Sequence, residues 1–401
     1  MRKLITYIIL LWYNYCVLCS GQTDVQIIKP GAHKSHINIS SLNAKDEAGW
    51  LFRQTLEEDL KLSGWFIISP SATITLTGEV LTEQNKINVT CSVFDTARAI
   101  RLLNKTGSSS PDRVRYLAHE FADAIVSAVK RVPGIATTKI AMIRAFRGQR
   151  NLYICDYDGR NLTKITQDNV LCYNPSWRPD GRGIVYVSYI SGYPDLYFIN
   201  LDNLTRTRLS SFPGLNAGGA FSPDGHKIAV ILSKDGTVDL YTMNADGTGL
   251  FRITKSRAVE ASPSWSPDGK SLAFVSDKTG IKHIYAIHAE GGTERRLTLR
   301  GSENVSPDWG PDGRIVYSSR RSGRLHIYVM NPETDTDGIQ ITSDNADYED
   351  PSWAPDGRHI VCSRTAGYRS EIYVIDTMGD PPRKLVSLEG DWYSPAWSPK
   401  K

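Results

Sequence analysis

The side chains that could perform catalysis are few and scattered in this sequence. His119 and Glu120 match the first half of the zinc-binding pattern HExxH, but Asp123 occupies the place of the second histidine. A helix that offers one imidazole is a poor metal site, so we expect His119 on a solvated helix face. The chain also lacks GxSxG, which presents a serine nucleophile, and the phosphate-binding patterns GxxxxGKS/T and strand-anchored GxGxxG. The sequence therefore predicts no catalytic residue, no metal and no cofactor.

The elements that must position any site are repeats with a period of 44 residues. Six segments share a pattern such as SPSWSPDG, and their aromatic residues are evenly spaced at Trp177, Phe221, Trp265, Trp309, Trp353 and Trp397. Pro-Asp-Gly favours a turn, because proline fixes φ, aspartate hydrogen-bonds its own backbone and glycine adopts positive φ. Runs of residues that favour β-strands follow the turns. We therefore predict that each repeat folds into four short antiparallel strands, which form one propeller blade.

The two ends of the repeat region predict how the propeller closes. The runs IAMIR and LYICD, at residues 140–144 and 152–156, precede the first repeat and lack an innermost strand. The last motif, at Trp397, is an innermost strand that lacks the other three, so the two ends predict one blade together. Five whole blades and this split blade give a mainly β fold, a six-bladed β-propeller over residues 136–401, closed by the C-terminal strand. The repeated Trp, Asp and Gly are then structural.

Residues 22–135 have no repeat and predict a small α/β domain before the propeller. Residues 47–63 show a helical spacing of Phe52, Leu56 and Leu60, and a longer helix starts at Pro111. Alternating apolar residues between positions 74 and 93 predict a hairpin that turns at residues 83–86. Residues 105–110, KTGSSS, are expected to form a loop.

The first residues of the chain predict export. Arg2 and Lys3 precede an apolar stretch that ends in the small residues Cys19, Ser20 and Gly21, so we expect a signal peptide at residues 1–21. No later window approaches a membrane-spanning length, so we expect a soluble mature protein. Residues 22–34 precede the first predicted element and are expected to form a mobile arm, whose candidate partner-binding residues are Asp24, Val25, Gln26, Ile27 and Ile28.

Net charge and cysteine usage narrow the class further. Lys+Arg 47 and Asp+Glu 43 give a net charge of +4, which is no electrostatic reason to expect nucleic-acid binding. Four cysteines follow the signal peptide: Cys91, Cys155, Cys172 and Cys362. An exported protein could pair them, with Cys155–Cys172 the one pair to test, although small buried thiols are the favoured interpretation. No CxxC remains to hold structural zinc.

In the absence of catalytic motifs, the loops at the mouth of the propeller channel are the candidate site. Five residues before each repeat aromatic, the loops contribute Cys172, Asn216, Glu260, Asn304, Tyr348 and Trp392. Six residues before it, they contribute Leu171, Leu215, Val259, Glu303, Asp347 and Asp391, which are apolar on one half of the ring and acidic on the other. Such a two-sided mouth suits a protein partner, with apolar and aromatic anchors and with acids that steer a basic surface.

Several segments together resemble the TolB family of the Tol–Pal envelope system. TGEV with INVTCSVFDT is similar to that family's hairpin, and RYLAHEFADAIVSAVKRVPGI followed by TKIAMI is similar to its inter-domain helix and first propeller strand. LYICDYDGRN, ILSKDGTVDLYTMNADG and the terminal SPAWSP extend the resemblance over essentially the whole mature chain.

The resemblance implies a non-enzymatic, monomeric adaptor of the periplasm. It implies that the propeller mouth binds the lipoprotein Pal, peripheral to the outer membrane, and that the arm binds TolA, in support of outer-membrane integrity and constriction at division. The implied Pal-binding loops are residues 215–218 and 260–262, which include Leu215, Gly218 and Ala261. The alternative is a propeller enzyme for polysaccharide or peptide substrates, which would need converging His, Lys, Arg or metal ligands in the channel.

Overall fold

The computed structural model describes residues 34–335 and 337–400. The expected signal peptide and the arm up to residue 33 lie outside the described residues. The described chain forms a small α/β domain followed by a six-bladed β-propeller, which confirms the predicted fold class. No helix within these two ranges has the length and hydropathy needed to span a bilayer.

The small domain is built on a five-stranded sheet of order β2-β1-β3-β4-β5. Its strands are β1 (Ser35–Ala44), β2 (Phe66–Ile68), β3 (Ile74–Glu83), β4 (Lys86–Asp95) and β5 (Ile100–Ser109). The predicted hairpin is confirmed as β3–β4, which turns at Gln84 and Asn85, both with positive φ. The predicted loop at residues 105–110 is wrong, because most of that segment pairs with β4 as the edge strand β5.

Two helices pack on the sheet and complete the core of the small domain. They are α1 (Glu47–Leu62) and α2 (Val114–Lys130), and a 3₁₀ turn at Pro111–Arg113 leads into α2. The apolar face of α1 is fully buried, as its spacing predicts. Phe52 of α1 packs edge-to-face on Phe121 of α2, with ring centroids 5.4 Å apart. The two helices therefore pack on each other as well as on the sheet.

The propeller consists of six four-stranded antiparallel sheets, whose strands we letter A to D from the channel outward. Blade 1 comprises Cys172–Trp177, Gly183–Ser188, Asp195–Asn200 and Arg206–Ser210, and blade 2 comprises Asn216–Phe221, Lys227–Leu232, Asp239–Asn244 and Phe251–Arg252. Blade 3 comprises Glu260–Trp265, Ser271–Ser276, His283–His288 and Arg295–Arg296, and blade 4 comprises Glu303–Trp309, Ile315–Arg320, Leu325–Met330 and Ile339–Gln340. Blade 5 comprises Asp347–Trp353, His359–Ala366, Arg369–Asp376 and Arg383–Lys384.

Blade 6 is assembled from both ends of the propeller sequence. Its strand A is Asp391–Trp397, and its strands B to D are Lys139–Phe146, Gln149–Asp156 and Thr163–Lys164. Trp397 pairs with Ile140 in this register. The predicted split blade is therefore confirmed, and it closes the ring because strand A of blade 6 contacts strand A of both blades 5 and 1.

The repeat aromatics tie neighbouring blades together. The indole N–H of Trp177 donates to the carbonyl of Ala396 in blade 6 at 2.9 Å. The backbone N–H of Trp353 in blade 5 donates to the carboxylate of Asp308 in blade 4 at 2.7 Å. These bonds give the repeated aromatic positions the structural role that their spacing predicts.

A buried polar cluster joins the small domain to the propeller. Asp59 of α1 accepts a hydrogen bond from the Tyr157 hydroxyl at 2.6 Å, and its other oxygen lies 2.7 Å from Nδ1 of His119 on α2. Burial raises the pKa of Asp59 in spite of these bonds. The predicted solvated position of His119 is wrong: the residue is 3% exposed, because Asp59 holds its ring inside the domain contact.

Candidate partner-binding face of the propeller

The propeller presents two faces with different connections. The A–B and C–D turns, which include the Pro-Asp-Gly turns, form the turn face, and the B–C and D–A loops form the opposite loop face. Asp158 and Arg358 lie in turns of the turn face, where they contact Arg115 and Trp65 of the small domain. The described residues of the small domain therefore cover part of the turn face and leave the loop face free.

The channel between the six strands A holds a cavity of about 780 Å³. Its lining consists mainly of proline, serine, glycine and the repeat aromatics. Gly218, one of the expected partner-binding residues, lies in this lining with a φ of 67°. Within the part of the chain that the structure describes, no group of three His, Cys, Asp or Glu side chains could hold a metal ion.

The ring five residues before each aromatic is buried inside the blades. It comprises Cys172, Asn216, Glu260, Asn304, Tyr348 and Trp392, and none of these residues is more than 3% exposed. They start strand A or follow its first residue, and Cys172 and Tyr348 belong to the hydrophobic clusters between blades. The expectation that Tyr348 and Trp392 are exposed aromatic anchors at the mouth is therefore wrong, because both side chains are buried in the packing of the propeller.

Four members of this buried ring hold the D–A loop that precedes them. Each forms a hydrogen bond with the residue four positions earlier: Asn216 with Phe212 (2.8 Å), Glu260 with Ser256 (3.0 Å), Asn304 with Arg300 (3.0 Å) and Trp392 with Leu388 (3.0 Å). The polar members therefore shape the loop face from within. In the sequence, a polar residue at the first or second position of a buried strand A is the sign that its side chain holds the preceding D–A loop.

Glu260 is the one buried acid of this ring. One carboxyl oxygen accepts hydrogen bonds from Ser256 and Ser276, and the other has no hydrogen-bond partner in the described residues. Burial raises the pKa of Glu260 from its ordinary value of 4.5 to about 7. The carboxyl therefore changes its charge inside the fold near neutral pH.

We expect Glu260→Gln to flatten the pH dependence of stability. Between pH 4.5 and about 7 the folded protein binds more protons at this site than the unfolded chain, so the free energy of unfolding falls as the pH rises across that window. Glutamine resembles the neutral acid, so the variant should match the parent at pH 4 and exceed it by up to about 3 kcal/mol at pH 8. Urea unfolding at both pH values measures the difference. A variant no more stable than the parent at pH 8 contradicts this account.

The outer ring, six residues before each aromatic, keeps two of its three acids, Glu303 and Asp347, in ion pairs within the protein, whereas the carboxylate of Asp391 accepts the backbone N–H of Ser370 at 3.2 Å. Glu303 accepts hydrogen bonds from Lys282 at 2.8 Å and from Arg320 at 3.2 Å, and the bond from Lys282 contributes most to a lowered pKa of Glu303. Asp347 accepts from Arg324 at 2.9 Å. Contrary to expectation, these two acids offer little free negative charge to steer a basic partner, because cations of the loop face already neutralise them.

Exposed apolar side chains are numerous on the loop face. They are Leu171, Val259, Leu299 and Leu388 in the D–A loops and Ile190, Tyr193, Ile281 and Tyr368 in the B–C loops. Exposed apolar surface of this kind is typical of protein contact sites. Leu215 and Ala261, which were expected to bind a partner, are half-buried. The B–C loops supply half of the exposed set, and the sequence analysis had not singled them out.

The sequence analysis also singled out the residues of the arm and the cysteines. The candidate residues of the arm, Asp24, Val25, Gln26, Ile27 and Ile28, lie outside the described residues. Cys155 and Cys172, the one candidate disulfide, are buried free thiols, as are Cys91 and Cys362.

This architecture defines a class of protein, a six-bladed propeller scaffold that carries a small α/β domain on its turn face. The family profile of the TolB beta propeller domain matches residues 127–401, which is more than half of the chain. The chain therefore belongs to the TolB family.

Individual relatives agree with this assignment. The chain is 31% identical over 197 residues to the Tol-Pal system protein TolB of Chromobacterium violaceum, covering 43% of this chain and 46% of the relative. It is 42% identical over 95 residues to the protein of that name from Anaeromyxobacter sp. (strain K), covering 24% and 21%. The matches thus span less than half of either relative. The crystal structure of TolB from Acinetobacter baumannii superposes with a TM-score of 0.82 at 27% identity, covering 92% of this chain and 97% of that one.

Proposed function

We propose that this protein is a non-enzymatic periplasmic adaptor of the Tol–Pal system, and that its loop face binds a Pal-like peptidoglycan-associated lipoprotein. The observation that carries the proposal is the concentration of exposed apolar side chains on the face that the small domain leaves free. Membership of the TolB family supports the choice of partner. A channel lined by proline, serine and aromatic residues favours an adaptor over a propeller enzyme. Bound to the lipoprotein, a monomeric adaptor would lie at the periphery of the outer membrane and support its integrity and constriction at division.

The same proposal includes a second partner, a TolA-like inner-membrane protein that binds the arm, residues 22–34. Val25 and Ile27 alternate in the sequence, which suits a segment that adds as a strand to the edge of a partner's sheet. Lys34, the last residue of the arm, forms an ion pair of 2.7 Å with Asp380 in a C–D turn of blade 5. The root of the arm at Lys34 is therefore on the turn face.

We expect Val259→Glu to weaken binding of the soluble Pal-like domain by roughly tenfold or more, because a charge would be desolvated at an apolar contact. Val259 is 49% exposed on the loop face, and Phe251, on the outermost strand of blade 2, is 51% exposed. Phe251→Glu is therefore a matched control that should bind like the parent. Calorimetric titration of both variants, after a melting check, measures the effect. Equal affinities for parent and Val259→Glu would remove Val259 from the site, and no binding by the parent would refute the proposed partner.

We expect deletion of residues 22–33 to abolish binding of the TolA-like protein while leaving the fold and Pal-like binding intact. The deletion keeps Lys34 and its ion pair with Asp380, so the domain contact is preserved. Surface plasmon resonance with each partner measures the two affinities separately. Retained binding of the TolA-like protein would show that the arm does not carry this contact.

A further inference from the structure

Residues 255–259 lie in the D–A loop between blades 2 and 3, and we call them the 255–259 loop. Lys255, Arg257 and Val259 are exposed, whereas the two residues between them are half-buried. Val259 is also the residue to which the proposed function assigns a partner contact. The conformation of this loop therefore decides how Val259 meets a partner.

Hydrogen bonds to Glu260, the first residue of the strand that follows, hold this loop. The Ser256 hydroxyl donates to one carboxyl oxygen of Glu260 at 3.0 Å and accepts the backbone N–H of Ala258 at 3.1 Å. Ser276 of the adjacent strand B donates to the same carboxyl oxygen at 3.3 Å. The carboxyl is therefore linked through two hydrogen bonds to the backbone that precedes Val259.

The other carboxyl oxygen of Glu260 makes this arrangement depend on a proton. The residue is 1% exposed, and that oxygen has no hydrogen-bond partner among the residues that the structure describes. A carboxylate with an unpartnered oxygen is more costly to bury than a neutral carboxyl. Burial accordingly raises the pKa of Glu260 to about 7. The hydrogen-bonded loop and the neutral acid therefore favour each other.

The equivalent positions of the neighbouring blades carry side chains that cannot ionise. In blade 2, the amide of Asn216 accepts the N–H of Phe212 at 2.9 Å and donates to the carbonyl of the same residue at 2.8 Å. In blade 4, the amide of Asn304 donates to the carbonyl of Arg300 at 3.0 Å. These amides hold their D–A loops without a titratable proton. Glu260 is the one carboxylic acid at this position of the repeat.

The charged groups around the Glu260 carboxyl come from blades 2 and 3. Asp239, on strand C of blade 2, opposes ionisation, although its ion pair of 2.6 Å with Arg252 reduces this effect. Lys278, in the B–C loop of blade 3, favours ionisation, but its ammonium forms an ion pair with Glu294. Each neighbouring charge is thus engaged by a counterion, and burial is the main cause of the raised pKa of Glu260.

Three further charged groups belong to the 255–259 loop or contact it. The carboxylate of Asp277 accepts the backbone N–H of Val259 at 2.8 Å, so it holds the end of the loop. Lys255 and Arg257 are exposed, and solvent screens their charges. These groups act on the loop itself, whereas Glu260 acts on it from within the fold.

From this geometry we infer that Glu260 is a pH-dependent positioning residue, whose protonated carboxyl holds the 255–259 loop in the conformation that a partner binds. The inference rests on the proposed use of Val259 as a contact and adds the regulation of that contact. Ionisation favours opening of the loop, because opening gives the buried carboxylate access to water. A partner that covers Val259 removes water from the same place, so it binds the protonated form more tightly.

The direction of the pH dependence follows from proton binding. Between pH 4.5 and about 7 the closed loop binds more protons at Glu260 than an open loop with a hydrated carboxyl. Opening therefore becomes easier as the pH rises through this window, and the effect is constant above it.

Amide hydrogen exchange of the whole mature protein at pH 4 and pH 8 tests the loop without a partner. The variant is Glu260→Gln, and the matched control is Glu303→Gln, which changes an acid of the same face whose pKa is lowered. Comparison at one pH cancels the intrinsic exchange rate. We expect parent and variant to exchange alike at pH 4, and the parent to exchange roughly tenfold or more faster in residues 255–260 at pH 8. The control should match the parent at both pH values.

Calorimetric titration with the soluble Pal-like domain tests the link to docking. The affinity of the parent should fall by roughly threefold or more between pH 6 and pH 8, because docking favours the protonated carboxyl. Glu260→Gln should lose this dependence, and Glu303→Gln should retain it.

The outcomes separate this inference from the proposed function. Equal exchange of parent and Glu260→Gln in residues 255–260 at pH 8 overturns the inference even if the Pal-like domain binds. A change of the same size in the strands of all six blades also overturns it, because the effect is then global destabilisation. A parent that binds the Pal-like domain equally at pH 6 and pH 8 overturns the link to docking. Exchange of the loop that depends on Glu260, with no binding of the Pal-like domain at either pH, supports the positioning role and refutes only the proposed partner.

Discussion

Removal of residues 391–401 should lower the melting temperature by roughly 10 °C or more and make the protein prone to aggregate. The deletion takes away strand A of blade 6 and two tryptophans, Trp392 and Trp397, that are at most 5% exposed. It also removes the hydrogen bond from the Trp397 indole to Thr138 at 2.8 Å and the one from Trp177 to Ala396. The loss is large because a whole ladder disappears and strand B of blade 6 becomes an open edge.

The control for this deletion is a chain that lacks only residue 401. Differential scanning calorimetry and light scattering compare the two truncated chains with the parent. If the longer deletion melts within a few degrees of the parent and stays monodisperse, closure by the C-terminal strand contributes little, and the stability of the propeller must come from elsewhere.

We expect Trp392→Ala to reduce the free energy of unfolding by about 3–5 kcal/mol, the usual cost of truncating a buried aromatic residue. Trp392 is 1% exposed, packs edge-to-face on Tyr153 with ring centroids 5.4 Å apart, and donates to the carbonyl of Leu388 at 3.0 Å. Any loss of partner binding by this variant should follow from unfolding or from release of the D–A loop that Leu388 belongs to.

A matched variant separates packing from the hydrogen bond. Trp392→Phe keeps most of the apolar volume but loses the indole N–H, so its stability should lie between those of the parent and the alanine variant. Chemical unfolding followed by intrinsic fluorescence measures both. An alanine variant that is as stable as the parent but cannot bind a partner would restore Trp392 as an exposed anchor and contradict the buried position.

The propeller could be predicted in detail because its period is carried by residues with strong local chemistry. Pro-Asp-Gly specifies a turn at the same place in five of the six repeats, and the incomplete repeats at the two ends indicate both the blade number and the split blade. The small domain was harder to predict. β1 contains a register irregularity between Asn38 and Ser41, so its buried residues Ile37, Ile39 and Leu42 do not keep a period of two. The parallel strands β1 and β2 were therefore missed.

The sequence predicted candidate residues in the D–A loops, but it could not predict which of their side chains are exposed. Aligning equivalent positions of the six repeats identifies a height along strand A. The alignment does not show which side chains at that height are exposed to solvent. One position separates the exposed Val259 from the buried Glu260. Glu303 pairs with Lys282 and Arg320, which are 21 and 17 positions away, so the pairing could not be predicted from the segment around the acid. The exposed side chains of the B–C loops were missed because the alignment of the repeats followed strand A and the D–A loops.

The central claim is that the loop face, and not the turn face, receives the partner. Amide hydrogen exchange of the mature protein with and without the soluble Pal-like domain tests it directly, because each loop reports its own protection. The account predicts slower exchange in the B–C and D–A loops, including those around Val259 and Tyr368, and unchanged exchange in the Pro-Asp-Gly turns. Protection of those turns or of the small domain, with the B–C and D–A loops unaffected, would contradict it.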